Sequence, residues 1–375
     1  MPSQILHVLT GERAALQAGM PAGIVDSPEF RLGCQGPDLF AHNRRTRPFA
    51  LAYARLLHRR DYGVFCGAFY DRLLKGSPDF VPAGLPWYVG FLTHQISDRI
   101  FHPYIVYRSS GVQERRTRKV NPARYHAFFE RIIDVCVLQA IAGARLSSFD
   151  TGHAFSPGED SLRLLVPEIS EALSCAYPRE ADGDEQLSLR VRNAFDDAVH
   201  FYSVTNPAVL AVRTRNSIET VERYASLGLE GAALLHPDEL DSSIDWANIA
   251  HTQWMHPVSG AVHTESVEDL FGLAVESASK LLCAVFGPET GMLFSNKGSP
   301  GLSLSLAVST PAEIASLVGN ECLGVCGDDG LTGIVKWVDP FPLEDELFRQ
   351  AEKRRTWLSA VRLTPDTGIG MMDLT

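Results

Sequence analysis

Three side chains with metal-binding chemistry recur at four-residue spacing in one largely apolar stretch: His94, Asp98 and His102, within Gly90–Pro103. At about 100° per residue, steps of four drift by only about 40°, so in a helix all three project from one face. An imidazole–carboxylate–imidazole stripe inside a protein is costly without a partner, and a divalent cation satisfies it. His126 and Glu130 repeat the i,i+4 spacing in Tyr125–Ile133, again among apolar residues. Two such helices can bring five nitrogen and oxygen donors together around shared ions.

Other donors lie upstream. His7 falls in the first helical segment, Asp38 follows a Gly36-Pro37 turn, and His58 sits near a helix end among apolar residues. Taken singly, His7 and His58 fit structural roles, and Asp38 fits an Asx-turn. His42 competes with His58 for the place of a lone histidine ligand; the apolar helical setting of His58 favours it.

The elements that must carry these residues read as helices. Helical periodicity marks Pro2–Met20, Asp61–Leu74, Leu85–Tyr107, Pro122–Ala142, Ser161–Cys175 and Leu187–Val204. Pro48 reads as the first helical position of Phe49–Arg60. Ser266 and Asp269 resemble a capping box opening a helix to Phe286, and Leu343–Leu363 reads as a last, charged helix. Residues 21–47 are rich in Gly, Pro and Arg and read as irregular. Alternating strand patterns are absent from the first 290 residues, and Leu302–Val308 fits a short strand. The fold class is therefore all-α, a multi-helix bundle. A composition shift near Gly287–Gly301 divides it into a helical domain, 1–290, and a less regular C-terminal appendage, 291–375.

Composition narrows the partners. With 375 residues the chain can bury a large core, and a net charge of −11 argues against a general attraction to nucleic acid. No apolar run reaches membrane-spanning length. The N-terminal residues lack the basic stretch and apolar core of a signal peptide. The seven cysteines are odd in number and scattered, and read as reduced thiols, with Cys322/Cys326 a weak pair. Together these point to the cytoplasm. The oligomeric state is not legible.

In chain order the candidate ligands are His7, Asp38, His58, His94, Asp98, His102, His126 and Glu130. This order resembles that of the zinc-dependent phospholipase C family, which includes the catalytic domain of glycosylphosphatidylinositol-specific phospholipase D and, more distantly, the S1/P1-type nucleases. Gly36-Pro37-Asp38 resembles the family's turn aspartate. Thr93–Asp98 followed by His102 resembles its central motif, and His126-x3-Glu130 its final pair. The resemblance covers roughly residues 1–150. It implies an all-helical fold with two to three zinc ions and a phosphodiester or phospholipid substrate. It also implies that His58, His94 and Asp98 hold one ion, that His102, His126 and Glu130 hold a second, and that His7 holds a third with Asp98 shared. Asp38 would neighbour the attacking water and act as general base.

Two Arg-Arg-Thr-Arg clusters, Arg44–Arg47 and Arg115–Arg118, stand out in an acidic chain; they either border the site and attract phosphate or are solvated loops. The aromatic and histidine-rich segment Asp245–Pro257 reads as packed structure, with a pocket cover as the alternative. The leading expectation is a zinc-dependent phosphodiester hydrolase, with phospholipids as candidate substrates. The alternatives are a nuclease-like or small-molecule phosphodiesterase on the same cluster, and a non-catalytic, metal-stabilised scaffold.

Overall fold

A computed structural model of the chain describes residues 4–110, 120–287, 310–327 and 329–363. The fold is all-α. Among the described residues, strand pairing is confined to a two-residue hairpin, Trp254–Met255 (β1) against Val262–His263 (β2), and one isolated bridge between Cys326 and Thr332. One-turn helices that do not bear on the site aside, the helices are α1 (Ile5–Gln17), α2 (Pro28–Cys34), α3 (Asp38–Ala41), α4 (Leu51–Arg59), α5 (Tyr62–Lys75), α6 (Val81–Ser109), α7 (Pro122–Ala142), α8 (Glu159–Ala176), α9 (Leu187–Val204), α10 (Arg215–Ser226), α11 (Val267–Phe286), α12 (Pro311–Val318) and α13 (Leu343–Leu363).

Helix α6 is the axis of the molecule. Its 29 residues span about 43 Å at the usual rise. Most of them are buried, so the helix shows no solvent face of the usual kind. Two apolar cores meet along it. The first gathers Phe30 of α2, Phe65 and Phe69 of α5, and Trp87, Phe91 and Leu92 of α6 with residues of α8 and α9. The second gathers Phe101, Tyr104 and Ile105 of α6 with Phe128 and Phe129 of α7, Phe271 of α11 and Leu347 of α13. His94, Asp98 and His102 lie on the stretch of α6 where one core gives way to the other.

The close packing of α2 on α6 requires glycine. A Cβ on Gly33 would strike the carbonyl oxygen of Trp87, and one on Gly90 would strike that of Phe30. The two backbones therefore touch, and the turn that follows α2 is laid directly over His94. Gly36 holds that turn at φ 53°, where a Cβ would run into the His94 ring.

Helix ends follow local chemistry. Asn121 accepts the Ala123 N–H (3.0 Å) ahead of Pro122, and Gly143 closes α7 at φ 57°, which gives the expected Pro122–Ala142. The capping box of α11 is formed: Ser266 Oγ accepts the Asp269 N–H (3.1 Å) and Asp269 Oδ2 accepts the Ser266 N–H (2.9 Å).

Other boundaries differ from expectation. Pro48 stands before α4, which starts at Leu51 after the cap residue Ala50, so it is not the first helical residue. The stretch expected to be irregular, 21–47, holds short helices, because Ser27 caps α2 by accepting the Phe30 N–H (3.2 Å) with Pro28 at the next position. Helix α6 runs four residues further at its start than periodicity suggested and carries Pro86 and Pro103 within it. The composition shift coincides with the end of α11 at Gly287; Leu302–Val308 and Arg115–Arg118 lie outside the described residues. The described C-terminal elements pack into both cores, through Ile314, Val318 and Leu323 in the first and Leu343, Leu347 and Ala351 in the second.

Cys322 and Cys326 are joined as a disulfide, contrary to the expectation of free thiols. Their i,i+4 spacing in a tight turn brings the Cα atoms to 6.0 Å, ordinary for such a bond. Disulfides belong to oxidising compartments as a rule, so the cysteines no longer argue for the cytoplasm. No described helix is long and apolar enough to cross a membrane.

Candidate metal centre

Five separate elements deliver the eight donors to one place. His7 lies in the first turn of α1, Asp38 begins α3, His58 ends α4, and α6 and α7 supply the remainder. The donor atoms form three groups, each within 4.8 Å: Asp38–His58–His94 and His7–His94–Asp98, which share His94, and a separate His102–His126–Glu130.

Asp98 is the hub. Its Oδ2 lies 3.1 Å from His94 Nε2 and 3.8 Å from His58 Nε2, while its Oδ1 lies 3.4 Å from His7 Nε2 and 3.9 Å from His102 Nδ1. Asp38 faces the first of these groups, with Oδ1 3.1 Å from His58 Nε2 and Oδ2 3.8 Å from His94 Nε2. Glu130 Oε1 lies 3.2 Å from His126 Nε2 and 3.8 Å from His102 Nε2. Asp38 thus shares the group of His58 and His94, more intimately than the notion of a neighbouring base required.

An outer layer aims the rings. His58 Nδ1 lies 2.6 Å from the Ala54 carbonyl, His94 Nδ1 3.0 Å from that of Cys34, and His102 Nδ1 2.8 Å from that of Leu323. A carbonyl only accepts, so each Nδ1 carries a hydrogen and each Nε2 is the atom turned to the centre, the orientation found in metal-ligating histidines. His126 Nδ1 faces the Ser109 hydroxyl at 3.4 Å. The Leu323 contact joins the C-terminal segment to the site twice, since its N–H donates to the His58 carbonyl at 2.8 Å.

The electrostatics suit a cation. Burial works against ionising Asp98, but His94 and His102 outweigh it and hold the carboxyl well below the usual range. Burial likewise opposes the charge on Asp38, and His58 overcomes it to lower the carboxyl. Burial also disfavours a charged His102, yet Asp98 and Glu130 raise the ring to about 10. For His7 burial dominates, helped by His94, and pushes the ring down to about 4.

Zinc fits this donor set. The ligands are imidazoles and carboxylates, and zinc bonds of about 2.0–2.1 Å in a tetrahedron set donors roughly 3.3 Å apart, which is the scale of the shorter separations above. The buried His94 Nε2 and Asp98 Oδ2 are only 3.1 Å apart but make no hydrogen bond within the protein. Two buried polar atoms that converge without bonding are what an intervening ion would satisfy.

Of the two lone histidines, the structure brings His58 and not His42 to the other donors. His42 is buried elsewhere, stacked on Phe201 with ring centroids 4.7 Å apart. Trp246 and Trp254 join the second core, and the Trp254 indole N–H donates to the Glu265 carbonyl (3.1 Å), so that segment is packed structure. One site-supporting residue escaped the sequence reading. Asp134, fully buried one turn after Glu130 on α7, accepts the N–H groups of Gln4, Ile5 and Leu6 at 2.8–2.9 Å and lies 2.8 Å from His236 Nε2. It thereby caps the helix that carries His7 and completes an i,i+4,i+8 stripe with His126 and Glu130, a spacing visible in the sequence.

Comparison of the chain with protein-family profiles, with curated proteins and with solved structures returned no match in any of the three.

Proposed function

We propose that the chain is a zinc-dependent hydrolase of phosphodiester bonds. The observation that carries this reading is the convergence of eight imidazole and carboxylate donors into three neighbouring groups, two of which share His94. The order of those donors along the chain, which resembles that of zinc-dependent phospholipases C, supports it. Zinc ions held by these groups would supply Lewis acidity toward phosphoryl oxygens and lower the pKa of bound water to about 7.

The chain's own residues do the rest. Asp38, held ionised by His58 and only slightly exposed, accepts the proton of the attacking water at a carboxylate oxygen. His58 fixes the orientation of that carboxylate from 3.1 Å, and is itself fixed by the Ala54 carbonyl. Asp98 ties the groups together and balances the cationic charge. The surrounding apolar cores keep the charges in a low-dielectric setting, where their mutual interactions are strong.

Turnover of bis-p-nitrophenyl phosphate and of phosphatidylcholine tests the reading. The purified protein should cleave a diester, lose that activity on dialysis against a chelator, and regain it with added zinc. A protein with full zinc content that cleaves neither substrate would leave a metal-stabilised scaffold as the answer.

A further inference from the structure

A cavity of about 630 Å³ opens next to the metal centre. The same elements serve both: His42, in the cavity lining, lies one helical turn after Asp38, and Arg124, also in the lining, lies two residues before His126. Phe201 and Tyr224 form an aromatic side, and Arg44, Arg45, Arg124 and Arg223 bring four guanidinium groups to the lining.

Their charge is only half balanced. Arg45 Nε lies 3.4 Å from Asp197 Oδ1, and Arg124 Nε lies 3.0 Å from Glu230 Oε2. Arg44 donates its Nε–H to the Ala41 carbonyl at 3.2 Å. Among the described residues neither Arg44 nor Arg223 forms an ion pair with a carboxylate. A lining with two surplus positive charges is unusual in a chain of net charge −11.

The arginine loop is held rigidly. Asp197 accepts the N–H groups of Arg45 and Thr46 at 2.8 Å each, the Thr46 hydroxyl at 2.6 Å and the Asn43 amide at 2.9 Å. These bonds fix the loop, and Arg44 and Arg45 stand in the cavity lining. Burial, then Arg124 and Arg55, hold the Arg44 guanidinium below its usual range; burial, then Arg45 and Arg223, do the same to the His200 ring. Fully buried on α7, Arg131 donates to the Ala127 carbonyl (2.7 Å) through Nη1, while its Nε and Nη2 find no partner among the described residues.

We propose that this cavity binds a phosphate monoester, so that the substrate of the adjoining centre is a phosphodiester bearing a second, dianionic phosphate. Two surplus guanidinium groups match a dianion in charge, and their forked donors match phosphate oxygens in geometry. A cavity of this size, with one aromatic wall, suits a phosphorylated ring or headgroup. The statement about substrate rests on the hydrolytic reading of the metal centre; the binding of the monoester rests on the cavity alone.

The test uses the full chain as isolated, with two probes. Glycerol 3-phosphate, titrated by calorimetry, reports a soluble source of the monoester; phosphatidic acid in phosphatidylcholine vesicles, followed by flotation, reports a lipid source. The comparison is with Arg44→Gln/Arg223→Gln and with Arg223→Gln alone, exposed positions whose replacement should leave circular dichroism and metal content unchanged. The double variant should bind at least tenfold more weakly than the wild type, and the single variant should fall between them. A loss seen with both probes or with glycerol 3-phosphate alone assigns the site to the free headgroup, and a loss seen only with vesicles assigns it to the lipid. Equal binding by wild type and double variant, or no binding of either probe, overturns the proposal. Failure of the hydrolytic reading shows separately, as a wild-type protein that binds the monoester through these arginines but turns over no diester.

Discussion

An Asp98→Asn protein should lose diester hydrolysis together with the zinc held by the His7–His94–Asp98 group. The carboxylate lies within 3.9 Å of four histidine rings, His7, His58, His94 and His102, which between them belong to all three donor groups. Asparagine keeps the shape but removes the charge that offsets the cations, and its amide nitrogen donates where a ligand must accept. Removing one partner from a buried charged network typically costs about 3–5 kcal/mol. A saturating ion adds to this by mass action, about 4 kcal/mol when its concentration is a thousand times Kd. The variant should therefore melt several degrees below the wild type and show a smaller further drop with chelator than the wild type does. A purely structural network would behave differently: the variant would be destabilised, but chelator would leave the wild type unaffected.

Asp38→Asn should separate chemistry from folding. Asp38 opens a one-turn helix after the Gly36-Pro37 turn and is not itself part of the long helices α6 and α7. Asparagine there retains the shape without the basicity, so turnover should fall by about 10²–10⁴-fold, the usual range for a lost general base. Helicity by circular dichroism should be nearly normal, and at least the His102–His126–Glu130 group should still hold its ion. Wild-type turnover would show that the water needs no carboxylate base. An unfolded variant would assign Asp38 a structural role through its contact with His58.

Much of the centre was legible because helical spacing maps sequence onto one face. His94, Asp98 and His102, and separately His126 and Glu130, follow from an interval of four residues, and the ends of α7 follow from Asn121-Pro122 and Gly143. What the sequence could not convey is contact between distant segments. The glycine approach of α2 to α6 depends on both backbones meeting, and only that meeting places Asp38 over His94. The Leu323 carbonyl that orients His102 comes from 221 residues away, in a segment whose composition suggested an appendage. Periodicity places α6 at Leu85–Tyr107 with Pro86 and Pro103 inside it, and misses the first turn, Val81–Gly84; the surrounding cores outweigh the hydrogen bonds lost at the two prolines. The cavity arginines Arg124 and Arg223 carry no local signature; they become a site only when α7, α9 and α10 are packed around the Arg44–Arg45 loop.

Elemental analysis of the native protein, purified without chelators, tests the central claim most directly. Three donor groups around Asp98 predict at least two zinc ions per chain. One divalent ion per chain, or none, would contradict the account.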